Sequence, residues 1–311
     1  MVTEALRRFF LYGCILLQAS PSYPQGDGSE SGVVYIEYFC ANRSAIKNYD
    51  VSFDQWAGFE ERNGKDDDSA NAEIRLKGRI VCDWETERIV FVYEKKLFKA
   101  DEKSEQFGVF TYFDGAMTAE LSTAPTFIRR KCTLPQFFQW SGAPAVENTI
   151  LQFPSPLRKN SREELSKSEI ETWLNSTSSR NIDGSVTVTK ARKPDDPTLF
   201  SVQFDSVSSM PTEASIRTID LTNGNTVRTV LSSTPRFEKC KEIFRLASIA
   251  FKNDTFLRLK DGKEVEADSI STCTFNWHAF NEDSIEFPCE EGTRFELESA
   301  RAFLEKKYEE E

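Results

Sequence analysis

Short turn signals punctuate this chain and constrain its fold more than any other feature. Asn or Asp precedes Gly between apolar segments at Asn63-Gly64, Asp114-Gly115, Asp183-Gly184, Asn223-Gly224 and Asp261-Gly262. Residues in such dipeptides tolerate positive φ, which the type I′ turn of a tight β-hairpin requires. Repeated hairpins of this kind predict an antiparallel meander.

The segments between these turns alternate as strands do. Charged side chains occupy odd positions between residues 73 and 79, and apolar side chains occupy the even positions Ile74, Leu76, Ile80, Cys82 and Trp84. This alternation predicts a half-buried strand. Roughly ten to twelve strands are expected, enough for one large, strongly curved sheet in the form of an open half-barrel. The predicted fold class is α+β, mainly antiparallel β, with helices that cover the sheet.

Two of the covering helices are expected before and within this β region. Helical spacing of apolar residues predicts an opening helix within residues 32–46. Ser161 and Glu164 form a capping box, which predicts a second helix over about 162–175. The apolar stripe of that helix is expected to cover the concave face of the sheet.

A third helix is expected near the end of the chain. Thr293 and Glu296 form another capping box, ahead of a run with helical apolar spacing. Between residues 124 and 156, by contrast, prolines and aromatic side chains indicate an irregular apolar cover.

The first 22 residues have the pattern of an export signal. Arg7 and Arg8 precede an apolar run over residues 9–17, and small residues and proline follow. This order is typical of a cleaved secretory signal, and the run is shorter than the ~20 residues that span a bilayer. We therefore predict a signal peptide at 1–22 and a periplasmic or secreted protein. A buried N-terminal helix is the alternative.

A lipoprotein signal is a further alternative, since Cys14 could carry lipid. The apolar run continues through residues 15–17 beyond Cys14, which favours release as a soluble protein. No second apolar run approaches membrane-spanning length, so no stable membrane span is expected after cleavage. The predicted organisation is a signal peptide at 1–22, a curved-sheet domain over 23–290, and a C-terminal helix with an acidic tail over 291–311.

Composition disfavours some partners and cofactors. The net charge of −11 disfavours nucleic acid and anionic membrane surfaces as partners. No phosphate-binding glycine motif and no paired C-x-x-C occurs, and the chain has one histidine, so no cofactor or metal is predicted. Six cysteines beyond the signal could form disulfides or be small buried residues: Cys40, Cys82, Cys132, Cys240, Cys273 and Cys289.

His278 is the one histidine that a catalytic unit could use. Cys273, Phe275 and Trp277 share one face of its strand, so His278 points to the opposite face, where a solvated side chain is expected. No G-x-S-x-G motif supplies a nucleophile. The acidic run at 66–68 lacks the glycine and spacing of a calcium loop and is expected to be a solvated turn. No catalytic residue is predicted.

Several segments together resemble one known family. They are ANRSAIKNYDV at 41–51, where a helix runs into the first strand, IVCD at 80–83, IVF at 89–91, FDG at 113–115, and the closing strand with its Asn-containing tail, TFNWHAFNEDSIEFP, at 274–288. Over residues 42–288 the chain resembles the bacterial outer-membrane lipoprotein carrier (LolA-like) family. The terminal helix after Cys289 and the number of cysteines depart from that family's pattern.

The resemblance implies an apolar cavity between sheet and helices that holds a lipid or acyl chain. Its lining would come from Phe200, Val202 and Phe204, or from the helix that carries Trp173; ordinary core packing is the alternative for each. The family's functional residues cannot be matched onto this chain, so the ligand-binding residues stay unassigned.

The predicted function is that of an exported, non-enzymatic periplasmic carrier or binder of a lipid, lipoprotein or other apolar ligand. An exported structural or interaction protein without a ligand cavity is the alternative. A secreted hydrolase is a minor alternative. Ligand identity, disulfide pairing and oligomeric state are left open by the sequence.

Overall fold

Antiparallel strands dominate the computed structural model, which describes residues 32–61, 73–99, 102–143, 167, 170–190, 195–222, 226–258 and 264–306. Several sequence predictions lie outside the described residues: the signal peptide, the acidic turn at 66–68, the start of the helix predicted over 162–175, and the glycine turns at 63–64, 223–224 and 261–262.

The strands follow one another in two runs. The first run is β1 (Asn48–Glu61), β2 (Glu73–Asp83), β3 (Arg88–Lys99), β4 (Glu102–Phe113), β5 (Ala116–Leu121) and β6 (Ala124–Lys131). The second run is β7 (Thr177–Arg180), β8 (Val186–Thr189), β9 (Thr198–Phe204), β10 (Pro211–Ile219), β11 (Thr226–Cys240), β12 (Ile243–Arg258) and β13 (Glu264–Phe280). The helices are α1 (Val33–Ser44), α2 (Leu134–Ser141) and α3 (Leu297–Glu305), with a helical turn at 170–173.

All thirteen strands belong to one sheet, in the order β6-β5-β4-β3-β2-β1-β13-β12-β11-β10-β9-β8-β7. The first and last strands pair antiparallel at its centre, from Tyr49 with Phe280 to Glu61 with Ala267. Within the described ranges the edge strands β6 and β7 do not pair with each other, so the sheet is open. The predicted fold class, a large open curved antiparallel sheet with covering helices, is confirmed.

The glycine turns differ in type. Asp114 and Gly115 have φ of 47° and 69°, as a type I′ hairpin requires. At Asp183-Gly184 only the glycine is left-handed, with φ of 85°, and the amide of Asn181 donates to the carbonyl of Ser185. The loop between β7 and β8 is therefore longer than the predicted two-residue turn.

One face of the sheet, which we call the inner face, carries a row in which aromatic side chains and glycines alternate between paired strands. Phe53 on β1 pairs with Gly78 on β2, which pairs with Tyr93 on β3, which pairs with Gly108 on β4. Each glycine lies under a ring, since an added Cβ would lie 2.3 Å from Phe53 Cζ at Gly78 and 2.4 Å from Tyr93 Cε1 at Gly108. The glycines leave the space that the rings fill.

Helices α1 and α2 pack on the inner face, and their apolar side chains join those of the strands in one buried cluster, which we call the inner core. The ring centroids of Tyr35 on α1 and Phe204 on β9 lie 5.5 Å apart. The centroids of Phe137 on α2 and Tyr112 on β4 also lie 5.5 Å apart. Helix α2 begins with a capping box between Thr133 and Gln136, so the predicted irregular cover over 124–156 is wrong for its first part, which forms β6 and α2.

The opposite, outer face carries a second core beneath α3. Its buried members are Val90, Val92, Phe107 and Val109 on the sheet, with Phe295 and Ala300 from the terminal segment. The predicted half-burial of β2 is wrong for residues 78–82, which are buried on both faces of the sheet. The helix itself starts three residues later than the predicted capping box, with Glu296 as its N-cap and no side-chain cap.

Helices in the described part of the chain are all too short or too polar to cross a bilayer.

Candidate functional site

A cleft of about 590 Å³ lies between the outer face of the sheet and α3. Its roof consists of residues from the end of α3 and the residue that follows: Arg301, Leu304, Glu305 and Lys306. Small-molecule sites in proteins occupy about 300–1,000 Å³. This space, which we call the outer cleft, is therefore large enough to be a ligand site.

Side chains from five strands form the floor of the outer cleft. Strands β1 and β2 contribute Ser52, Lys77 and Arg79. Strands β3, β4 and β13 contribute Glu94, Phe107, Asn276 and His278. Successive side chains of a strand point to opposite faces, so these residues alternate with members of the inner core. The pattern that buries one face thus determines which residues line the cleft.

A buried ion pair supports the floor. Arg79 is 1% exposed, and its Nε and Nη2 donate to Asp50 Oδ1 and Oδ2 at 2.8 and 2.5 Å. The third nitrogen, Nη1, donates to the carbonyl of Phe303 on α3 at 3.0 Å, and the guanidinium carbon lies 3.9 Å from the centre of the Phe303 ring. Arg79 therefore neutralises a buried carboxylate and holds the end of α3 on the sheet.

His278 contacts a serine at the edge of this ion pair. Its Nε2 lies 2.9 Å from Ser52 Oγ. Burial lowers the pKa of His278, the charge of Arg79 lowers it further, and the charge of Asp50 opposes both. The ring lies on the predicted face, but the expected solvated position is wrong, because the side chain is half-buried in the cleft that α3 covers.

Two charged side chains of the cleft, Glu94 and Arg301, have different neighbours. Burial raises the pKa of Glu94, but the hydrogen bond and charge of Lys96, with smaller effects of Glu105 and Arg301, leave this pKa lowered overall. Lys96 Nζ lies 2.9 Å from Glu94 Oε2. Arg301 lies over the ring of Phe107, with its guanidinium carbon 4.6 Å from the ring centre. Glu94 is therefore ionised and paired, and the ring of Phe107 lies beside a cation.

Two arginines fasten the terminal segment ahead of α3. Arg294 donates to both carboxylate oxygens of Glu120 at 2.8 and 2.6 Å, which lowers the pKa of Glu120 although burial opposes this. Arg88 donates to the carbonyl of Cys289, and its guanidinium carbon lies 4.0 Å from the centre of the Phe287 ring. The roof of the cleft is thus attached to the sheet at several points along its length.

The residues predicted to line an inner cavity are packed instead. Val202 and Phe204 are 1% and 0% exposed, and Trp173 is 6% exposed; all three belong to the inner core, and Phe200 packs against it. Phe204 contacts Tyr35 of α1. A space between α1 and strands β11 to β13 measures about 10 Å³, near the lower limit for one water molecule. The alternative of core packing therefore holds for these residues.

The sequence left disulfides and buried thiols open as alternatives, and four cysteines are free thiols in the structure: Cys132, Cys240, Cys273 and Cys289. Burial raises the pKa of Cys273 to about 12, with a smaller effect of Asp54. Cys40 and Cys82 are buried in the inner core. Among the described residues, no group of three or more His, Cys, Asp or Glu side chains could hold a metal ion.

Comparison with known proteins gives little further information. No protein family model and no curated protein matches the chain. Similar solved structures include a porin-like protein from Bacteroides uniformis, 8% identical, with a TM-score of 0.25 over 74% of this chain and 98% of that one. Another is the complex structure of Pseudomonas aeruginosa MucA/MucB, 10% identical, with a TM-score of 0.21 over 79% of this chain and 93% of that one.

TM-scores this low support no argument about relationship or activity. The β-rich antiparallel fold rests on the chain's own structure, and the resemblance to the lipoprotein carrier family is not confirmed.

Sequence reasoning missed most of the cleft. It placed His278 on the face opposite Phe275, but it treated Lys77 and Arg79 as solvent-facing charges. The available signal was the amphipathic terminal helix, which needs an apolar surface to cover. The apolar side chains between residues 88 and 97 occupy both faces of the strand and could have supplied that surface.

Proposed function

We propose that this protein is an exported, non-enzymatic binding protein that holds a small ligand in the outer cleft. The observation that carries the proposal is the 590 Å³ space between α3 and the sheet. Export, to the periplasm or to the outside of the cell, rests on the basic and apolar pattern of the first 22 residues.

The lining of the cleft is mainly polar, since nine of its eleven side chains are polar or charged. Leu304 offers apolar surface, Phe107 is 1% exposed, and Ser52 and Asn276 offer hydrogen-bonding groups. Placed polar groups of this kind fix a ligand's orientation in a binding site. The contacts of Arg79 with Phe303 hold floor and roof together before a ligand arrives. Such preorganisation reduces the free-energy cost of binding.

This proposal keeps the predicted role of a binder but moves the site to the other face of the sheet. A carrier with an inner cavity would need apolar side chains that face open space, and Val202, Phe204 and Trp173 are packed in the core. The outer cleft, at about 590 Å³, is larger than two other spaces on the described sheet, which measure about 360 and 340 Å³.

Filling the cleft tests the proposal. Asn276 lines the cleft, and Thr274 lies two residues away on the same face of β13, exposed and outside the lining. We expect Asn276→Trp to block binding and Thr274→Trp to leave it intact. Native mass spectrometry of the wild type and both variants, each exported and purified without denaturation, measures any small molecule that co-purifies.

A bound mass that is present in wild type and Thr274→Trp but absent from Asn276→Trp supports the proposal. If no molecule co-purifies, and no added fluorescent probe binds in a way that Asn276→Trp abolishes, the alternative of an exported interaction protein is favoured. Hydrolysis of an ester panel that is lost in Ser52→Ala and in His278→Ala would overturn the non-enzymatic part, because a serine hydrolase needs both groups.

A further inference from the structure

We propose that the edge strand β6 binds an extended, acidic segment of another protein, which adds to the sheet as a further strand. The evidence is the open edge of β6, its run of exposed cations, and the exposed apolar side chains beside them. This interaction surface uses none of the residues that line the outer cleft, so it is independent of the proposed ligand site.

Strand β6 ends the sheet on one side. It pairs with β5, and no other strand in the described part of the chain pairs with it. An edge strand presents a row of backbone N–H and C=O groups that no neighbouring strand uses. An extended peptide can pair with such groups and continue the sheet, with its side chains alternating between the two faces. The backbone of β6 therefore offers what an added strand requires.

Three consecutive cations occupy the end of this strand: Arg129, Arg130 and Lys131. All three side chains are exposed, and within the described ranges none of them forms an ion pair. Glu120, the acidic residue of β5, is already paired with Arg294, at 2.8 and 2.6 Å. In a chain that carries −11, this local excess of positive charge is complementary to an acidic partner.

Two exposed apolar side chains precede the cations. Phe127 is 38% exposed and Ile128 is 47% exposed. Ile128 pairs with Ala119 of the inner core, so it lies on the inner face, and Phe127 lies on the outer face. Cations at an edge can serve only to prevent aggregation, but exposed aromatic and aliphatic side chains do not serve that purpose. An added strand would cover both of them while its acidic residues met the cations.

A second copy of this chain does not suit the edge. Strand β6 contains no Asp or Glu, so two β6 strands paired with each other would supply no opposite charge. The other edge strand, β7, reads TSSR and is also without an acidic residue. Opposite charges across a strand pair stabilise it, and like charges destabilise it. The charges of β6 therefore select an acidic segment from a different protein.

A synthetic peptide with an uncharged fluorescent label tests the proposal. The sequence Thr-Glu-Glu-Glu-Val-Val-Thr, aligned antiparallel to β6, puts its glutamates opposite the cations at 129–131 and its valines opposite residues 127 and 128. We expect fluorescence anisotropy to show one site per chain. Binding should be at least about tenfold tighter than that of the same peptide with lysine in place of glutamate, because three cross-strand charge pairs change sign.

Two N-methylated peptides separate strand addition from attraction between charges. Alternate amides of a strand point to opposite edges, so methylation of one alternate set removes hydrogen bonds to β6, and methylation of the other set leaves them. We expect the first peptide to bind at least about tenfold more weakly and the second to bind like the parent. Hydrogen exchange of the backbone amides at 127–131 should slow when the parent peptide binds.

Charge reversal assigns the binding to β6. The double variant Arg129→Glu with Lys131→Glu should bind the acidic peptide at least about tenfold more weakly. The matched control, Arg180→Glu on the exposed edge strand β7, should bind it like wild type. All three substituted side chains are exposed, and urea unfolding of both variants checks that the fold is kept.

Three results would overturn the proposal. The first is that the acidic peptide does not bind, or that its binding is unchanged by the double charge reversal. The second is that both methylated peptides bind like the parent without slowing amide exchange at 127–131, since charge alone would then explain the binding. The third is a wild-type dimer, measured by analytical ultracentrifugation, that the double charge reversal abolishes, because the occupant would then be a second copy.

Discussion

Replacing Asp50 by asparagine removes the carboxylate that faces buried Arg79. The guanidinium would keep its bond to the Phe303 carbonyl and its contact with the Phe303 ring, but it would lose the charge that compensates it. Removing one partner of a buried ion pair costs about 3–5 kcal/mol, because the remaining charge stays buried without compensation. Asparagine still offers one oxygen to Arg79, so we expect Asp50→Asn to lower the free energy of unfolding by about 3 kcal/mol.

Urea unfolding, followed by tryptophan fluorescence and by circular dichroism, measures this loss. With an m-value of about 3 kcal/mol per molar, the midpoint should fall by about 1 M while the m-value stays constant. The matched control is Glu85→Gln, which breaks the ion pair of Lys47 and Glu85 at 3.6 Å, where both side chains are about two-thirds exposed. Exposed pairs contribute little, so this variant should unfold like wild type.

The double variant Asp50→Asn with Arg79→Met removes the buried charge as well as its partner. A methionine fills the space of the arginine's aliphatic stem and carries no charge that needs compensation, so the double variant should be more stable than Asp50→Asn alone. A midpoint for Asp50→Asn within about 0.3 M of wild type would refute the reasoning, because it would mean that the Arg79 charge is hydrated or compensated elsewhere.

Three further expectations follow from other parts of the structure. Gly78→Ala should lower the free energy of unfolding, measured by urea, by about 1–3 kcal/mol, because the new Cβ would meet the Phe53 ring. Adding Phe53→Leu should recover part of this loss. An equal loss in the double variant would contradict the steric reason. The folded-state pKa of His278 lies below its ordinary value of 6.5, so the folded protein binds fewer protons than the unfolded chain, and stability should fall as the pH drops from about 6.5 to that lower pKa. His278→Asn should remove this part of the decline, measured as urea midpoints between pH 7.5 and pH 5. Cys273, with its pKa raised to about 12, should resist iodoacetamide at pH 8 in the native protein and react after denaturation, as peptide mass spectrometry would measure; native alkylation at the rate of an exposed thiol would contradict its burial.

The sheet could be predicted from the sequence because its signals are local. The strand around Ile80 and the turn at Asp114-Gly115 depend on neighbouring residues, and both are found in the structure, although the predicted half-burial of that strand is not. The strand from 124 to 131 was missed because its single proline and its basic residues suit an exposed edge strand as well as a loop. The capping box of Thr133 and Gln136 was a local signal for α2 that the sequence interpretation did not use.

The candidate site could not be predicted because it depends on contacts between distant parts of the chain. Arg79 looks like an exposed charge on an alternating strand, and its burial follows only when α3, more than 200 residues later, covers it. Ser52 carries no motif, and its contact with His278 requires the pairing of β1 with β13. Side-chain polarity predicted which face of the sheet each residue lies on. It did not predict that α3 covers the outer face.

The pairing of β1 with β13 also dictates when the protein can finish folding. Asn48 exchanges hydrogen bonds with Glu282, 234 residues further along, and a loop of that length costs about 5 kcal/mol of chain entropy to close. Until the last strand is synthesised, one edge of β1 has no partner in the finished order of the sheet, and the polar surface that becomes the cleft has no roof. A chain built in this way should fold slowly and late. Under the proposed export, delayed folding would suit a chain that must stay unfolded until it has been translocated, and it would leave β1 in need of protection from other chains during that interval.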